Sequence, residues 1–163
     1  MMEQATTGLA VRKTVTVDAS PEWAFEVFTQ RLADWWPLDT HHIAEKDAVD
    51  ARFEPFQGGR FYEVAADGSE TQWGTVSVWD PPNRFVYYWQ LDADWAFDSD
   101  LDHASEVEVR FTEEAPGRTR VDLEHRLLER FGDKAEQMQG VFSAEGGWNG
   151  LLQRFQGCAG RAR

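Results

Sequence analysis

The stretch "WGTVSVWDPPNRFVYYWQ", Trp73 to Gln90, holds three tryptophans, two tyrosines and one phenylalanine in eighteen positions around a single Asp-Pro-Pro-Asn turn. Read as two strands, it places Trp73, Trp79, Phe85, Tyr87 and Trp89 on one parity and Val76, Val78, Val86 and Tyr88 on the other. Both faces of the hairpin are therefore apolar. Burying one aromatic side chain of ~150–250 Å² is worth up to about 4–6 kcal/mol at ~25 cal/mol/Å², so the hairpin cannot be left bare to water. The rest of the chain must cover it, either as a solid core or as the wall of a cavity, and rings alone do not distinguish the two.

The flanking segments show what does the covering. "VRKTVTV", Val11 to Val17, alternates with period two, and "DASPEWAFEVF" follows, with Ser20 placed to cap a helix that opens at Pro21. Trp23, Val27, Leu32 and Trp35 recur at helical spacing until Pro37 stops the pattern, which predicts two short helices. Val49, Ala51 and Phe53, then "GGRFYEV", then the hairpin, then "SEVEVRF" and "TRVDLEHRLL" are short alternating segments separated by turn residues. In the first of the last two, Val107, Val109 and Phe111 oppose Glu106, Glu108 and Arg110; in the second, His125 shares an apolar row with Val121, Leu123 and Leu127. From about Asp133, the residues Ala135, Met138, Phe142, Trp148, Leu152 and Phe155 lie along one helical face. The expected class is α+β: an antiparallel sheet of six or seven strands with two short helices after strand one and a long C-terminal helix covering the apolar face.

Composition bounds the function. At 163 residues with 42% hydrophobic positions, the chain supports one domain, residues 1–163, with its core over about 11–157. The formal net charge of −13 repels phosphate backbones and anionic lipid, so neither nucleic acid nor a membrane is an expected partner. The lone Cys158 excludes an internal disulfide and reads as a packing residue, and no apolar run is long enough for a signal peptide or a membrane span. A cytoplasmic monomer or homodimer is the expectation.

The closing helix carries Gly140, Gly146, Gly147, Gly150 and Gly157, each costing about 1 kcal/mol against alanine. Two readings are open: the glycines let the helix approach the sheet or bend across it, or they leave space for a pocket. Such a pocket takes its polar handles from His125, Glu145, Tyr62 and Tyr88. His41, His42, His103 and His125 have no recognisable metal-ligand spacing, so no metal is expected. The aspartates of "DADWAFDSDLDHASE" read as a solvated loop whose Trp95 and Phe97 either cap a cavity mouth or meet a second subunit. No nucleophile motif and no cofactor motif appears, and no catalytic residue is assigned. In its apolar row, His125 is expected to be neutral with its pKa lowered, unless the carboxylate of Glu145 lies close enough to raise it.

"WWP" at Trp35–Pro37, "GGRFYE" at Gly58–Glu63, "DG" at Asp67-Gly68, the hairpin itself, "GRTRVDLEH" at Gly117–His125 and Gly147, Trp148 and Leu152 arrive in one order. Together they resemble the homologues of the heat-shock protein 90 ATPase activator, within the superfamily of birch-pollen-allergen-like and steroidogenic-acute-regulatory-related lipid-transfer domains (SRPBCC). The resemblance implies a helix-grip fold: a curved sheet wrapped on the C-terminal helix around a hydrophobic cavity. It implies no single activity, since members are carriers, receptors, cyclases and chaperone regulators. On that frame the cavity-lining candidates are Trp35, Trp36, Tyr62, Trp73, Tyr87, Trp89, Phe111, His125, Phe142, Glu145 and Trp148. A small hydrophobic or aromatic molecule is the expected partner, with a chaperone, or an enzymatic role on a cyclic or aromatic substrate, as alternatives.

Overall fold

The structure, a computed structural model, describes residues 9–161. Seven antiparallel strands form one sheet in the order β1-β7-β6-β5-β4-β3-β2, with β1 at Val11–Val17, β2 at Ala48–Phe53, β3 at Arg60–Ala65, β4 at Glu70–Asp80, β5 at Arg84–Trp89, β6 at Ser105–Ala115 and β7 at Arg118–Arg126. Helix α1, Pro21–Thr29, follows β1, and its first turn is closed by Ser20, whose hydroxyl accepts from the Trp23 amide at 3.2 Å. The second short helix is a single 3-10 turn, Leu32–Asp34. Helix α2, Ala135–Ser143, and helix α3, Trp148–Arg161, close the chain. The sheet curls around them as the helix-grip arrangement requires.

The closing helical segment is interrupted. Gly147 and Gly150 explain where: a Cβ on Gly147 would stand 2.4 Å from the carbonyl oxygens of Val141 and Phe142, and one on Gly150 would stand 1.9 Å from that of Glu145. Only a residue without a side chain lets the backbone fold back on itself so closely, so the glycine run makes a corner between α2 and α3.

Two irregularities in β4 decide which side chains face inward. Against β3 the ladder steps from Gln72 to Gly74, and against β5 it steps from Val76 to Val78, so Trp73 and Ser77 are the extra residues. Trp73, Val76 and Trp79, each three apart, consequently share the concave face with Phe85, Tyr87 and Trp89 of β5. Val76 leaves the face on which simple alternation puts it. A similar shift between Ala48 and Asp50 in β2 turns Val49 outward, where it is 56% exposed, against its expected place beside Ala51 and Phe53. The convex face carries charge ladders, in which Arg126 reaches Glu106, Glu108 and Glu124 and Arg84 reaches Glu108.

One half of the concave face is solid. Phe28 packs edge-on against Phe155 of α3 at 4.9 Å and Phe85 at 5.6 Å, and tilted against Trp35 at 5.0 Å. Phe25 and Phe111 extend the cluster toward β6. Phe155 is fully buried at its centre, so Phe155→Ala is expected to lower unfolding free energy by about 3–5 kcal/mol. Urea denaturation checks this: the midpoint falls with unchanged slope, and an unmoved midpoint would contradict the packing.

Candidate functional site

Where α3 stops covering the sheet, a cavity of about 460 Å³ opens. Its walls are the indoles of Trp36, Trp73, Trp89 and Trp148, with Phe142, Ile43 and Leu151; Thr40, His41, His42, Val141, Trp95 and the corner residues Ala144, Gly146 and Gly147 complete it. Gly147, one of the glycines that break the helix, thus borders the space with its neighbour Gly146, which joins the two readings of that run.

The loop over Thr40–Ala44 is held by one carboxylate. Glu63, 3% exposed on β3, accepts from the Ile43 amide at 2.6 Å, the Trp73 indole N–H at 2.7 Å and the Ala44 amide at 3.3 Å. Three N–H donors replace the water such a carboxylate loses on burial. His41 then ties the loop to the helix corner: its Nε2 lies 2.7 Å from the Gly146 carbonyl oxygen, which can only accept, so this nitrogen bears the proton. Trp36 donates its indole N–H to the His41 carbonyl at 3.1 Å, fixing the ring that faces the cavity.

Behind the opposite wall runs a buried polar chain. Trp148 donates its indole N–H to Nδ1 of His125 at 3.1 Å, and Nε2 of His125 lies 2.8 Å from the Ser105 hydroxyl. An indole N–H can only donate, so Nδ1 accepts and Nε2 carries the hydrogen of a neutral ring. Desolvation drives the His125 pKa down from 6.5 to about 3. Glu145 does not oppose this, because it is exposed on the corner and bonds Asn149.

Trp95 stands at the rim, 41% exposed, with its ring edge-on to Phe142 at 6.2 Å. Its φ of 64° is uncommon for a bulky residue. Asp92 holds that turn, its carbonyl accepting from the Trp95 amide and its Oδ1 from the Asp94 and Ala96 amides.

Of the eleven candidates, Trp36, Trp73, Trp89, Phe142 and Trp148 line the cavity. His125 backs the wall through Trp148. Trp35, Tyr87 and Phe111 sit in the solid part of the core; the Trp35 indole donates to the Val27 carbonyl at 3.0 Å. Tyr62 has the opposite parity to Phe61 and lies on the convex face under the Arg60 guanidinium at 4.2 Å, so it is no handle. Tyr88 alternates outward in the same way beside Tyr87 and Trp89. Glu145 points away from the cavity for the reason given. Sequence reasoning missed Thr40, His41, His42, Ile43 and Glu63, and only Glu63, in register with inward Phe61, left a periodic trace.

A curled sheet gripping a C-terminal helical segment around an apolar cavity defines the helix-grip class of SRPBCC domains. Over residues 18–160 the chain matches the family described as Activator of Hsp90 ATPase homolog 1-like protein, and it belongs to that family. It is similar to the solved structure of an anthrahydroquino-gamma-pyrone synthase, Txn09, complexed with SUM: 44% identity, 91% of this chain and 95% of that one covered, TM-score 0.64. It is also similar to CalC, a self-sacrificing resistance protein from Micromonospora echinospora, at 29% identity over 94% of this chain and 97% of that one, TM-score 0.67. Protein MLL2253 from Mesorhizobium loti, 19% identical over 95% and 99% of the two chains with TM-score 0.67, shares the fold. No curated protein matches the chain. Among the described residues no helix is long and apolar enough to cross a membrane.

Burial makes His125 a pH-dependent element. Its pKa is lower folded than unfolded, so between about pH 6.5 and about pH 3 the unfolded chain binds more protons. Its contribution to stability is complete above that window and is lost as pH falls through it, by several kcal/mol at about 1.4 kcal/mol per unit. NMR titration of the ring should show the Nε2–H form and no transition down to pH ~4; a midpoint above the unfolded value of 6.5 would refute the desolvated assignment.

Proposed function

We propose that this chain binds a planar polycyclic aromatic molecule, of the anthraquinone or anthrahydroquinone type, in the cavity between sheet and helix corner. The observation that carries the reading is the wall itself: four indoles and a phenylalanine around about 460 Å³, within the ~300–1,000 Å³ of sites for drug-sized ligands. Flat rings supply offset-stacked and edge-to-face contacts to a flat ligand. The anthrahydroquino-gamma-pyrone synthase that is 44% identical supports the ligand class. Titration with anthraquinone is expected to quench tryptophan fluorescence saturably, and Trp36→Leu to weaken binding about tenfold, on the order of 1.4 kcal/mol. Quenching that never saturates would overturn the reading. ATP turnover by a purified heat-shock protein 90 is expected to be unchanged by the protein; stimulation would favour the chaperone role instead.

A second reading, an enzyme closing a ring on such a molecule, is favoured by the name of that relative and by His42. This residue lines the cavity, and its Nδ1 lies 2.9 Å from the Ala44 carbonyl oxygen and therefore donates to it. In the neutral ring the lone pair is then on Nε2, 3.9 Å from the Asp47 carboxylate, which would stabilise the imidazolium formed on taking a phenolic proton. His42→Asn is expected to lower turnover of a hydroxyanthraquinone bearing a neighbouring α,β-unsaturated acyl side chain, to whose β-carbon the phenolate oxygen adds while the proton taken by His42 returns to the α-carbon, by about 10²-fold or more, followed by chromatography of the isomeric product, while leaving its affinity within about twofold. Equal turnover by the variant would remove His42 from this role.

A further inference from the structure

The indole N–H groups around the cavity are not equivalent. Those of Trp36, Trp73 and Trp148 donate to the His41 carbonyl, the Glu63 carboxylate and His125 Nδ1, respectively. Trp89 is 4% exposed and lines the same cavity, yet its Nε1 is buried without an acceptor. Its ring is wedged between Trp73 at 5.6 Å, His125 at 5.2 Å and Phe142 at 5.3 Å, and none of these offers a lone pair: Glu63 is the acceptor of the Trp73 N–H, and both His125 nitrogens are engaged. A buried orphan donor is rare in a folded protein and each one asks for a reason. Satisfaction by an oxygen that arrives with the ligand is such a reason, because the donor then contributes to affinity only when the right molecule is present.

We propose that Trp89 Nε1–H is the polar recognition group of the cavity, donating to a carbonyl or quinone oxygen of the bound polycycle. The inference rests on the ligand class proposed above and adds its specificity: the oxygenated ring system is selected over the hydrocarbon of the same shape. Of the other polar groups of the lining, the Trp95 indole belongs to a rim residue that is 41% exposed, so it lacks the burial of Trp89, and the two histidines are engaged elsewhere. His41 is taken by Gly146 and Thr40, and His42 Nδ1 by the Ala44 carbonyl. An apolar frame that fixes the plane of the ligand and one donor that fixes its orientation is the usual division of labour in such pockets.

Anthraquinone and anthracene share one three-ring frame and differ in the two oxygens, so the ratio of their affinities isolates the hydrogen bond from the ring contacts. The intact protein is expected to prefer anthraquinone, and Trp89→Phe to lower that preference about three- to tenfold, whatever it does to both affinities together. In the unsubstituted protein the Trp89 indole N–H resonance is expected to move downfield with anthraquinone and not with anthracene, a measurement that needs no variant to fold. An unchanged preference in Trp89→Phe, or an N–H resonance that responds alike to both probes, overturns the assignment while leaving the cavity reading intact. If neither probe binds the unsubstituted protein, the cavity reading fails and this inference fails with it.

Discussion

The concave face of the sheet is a field of aromatic rings that must be kept from water, and the two helices that cover it do not reach across all of it. Everything else in the molecule follows from that shortfall. Where α1 and α3 lie over the sheet, Phe25, Phe28, Trp35 and Phe155 interlock with Phe85 and Phe111 and leave no room. Where the chain turns the corner at Ala144–Gly147, the rings of Trp73 and Trp89 on the sheet meet Phe142 near the end of α2 and Trp148 at the start of α3, and the space left between them becomes a walled cavity. The loop from Thr40 to Ala44 closes that side, and it can do so only because Glu63 offers buried oxygens to its amides. A carboxylate among indoles thus does the work of a structural element that the chain does not have.

The elements were legible in the sequence because each is short and strongly periodic: β1, β6 and β7 alternate cleanly, and Ser20-Pro21 marks the start of α1 with a cap that the structure contains. Period-two reasoning failed at β4 and β2, where single extra residues reverse the faces and send Val76 inward and Val49 outward. It also misplaced Tyr62, whose ring needed only its neighbour Phe61 to be inside for it to be outside. Two of the four wall indoles, Trp73 and Trp89, could be read from the strand pattern. The rest comes from a loop and a helix corner, whose side chains are aimed by hydrogen bonds between residues far apart in the chain, His41 to Gly146 and Ile43 to Glu63 among them, and no spacing encodes those.

The buried histidine illustrates how one donor-only group propagates order. Trp148 fixes the His125 tautomer, and His125 in turn links β7 to Ser105 at the head of β6, so one end of α3 is registered against two strands by directional bonds rather than by shape alone. Fully satisfied polar chains of this kind specify a single arrangement of a core that greasy contacts would tolerate in several.

The strand order has a temporal side. Strands β2 to β7 each pair with the next in sequence, so five ladders can zip as the chain emerges, but β1 pairs only with β7, joining residues more than a hundred positions apart. α3, which packs on β1, is later still. The first strand to be synthesised is therefore the last to be captured, and until then it and the ring-rich inner face wait uncovered for each other. Long-range closure of this kind slows folding and leaves apolar surface open to other chains meanwhile. A strongly acidic chain, mutually repulsive at −13, is well suited to surviving that interval in solution.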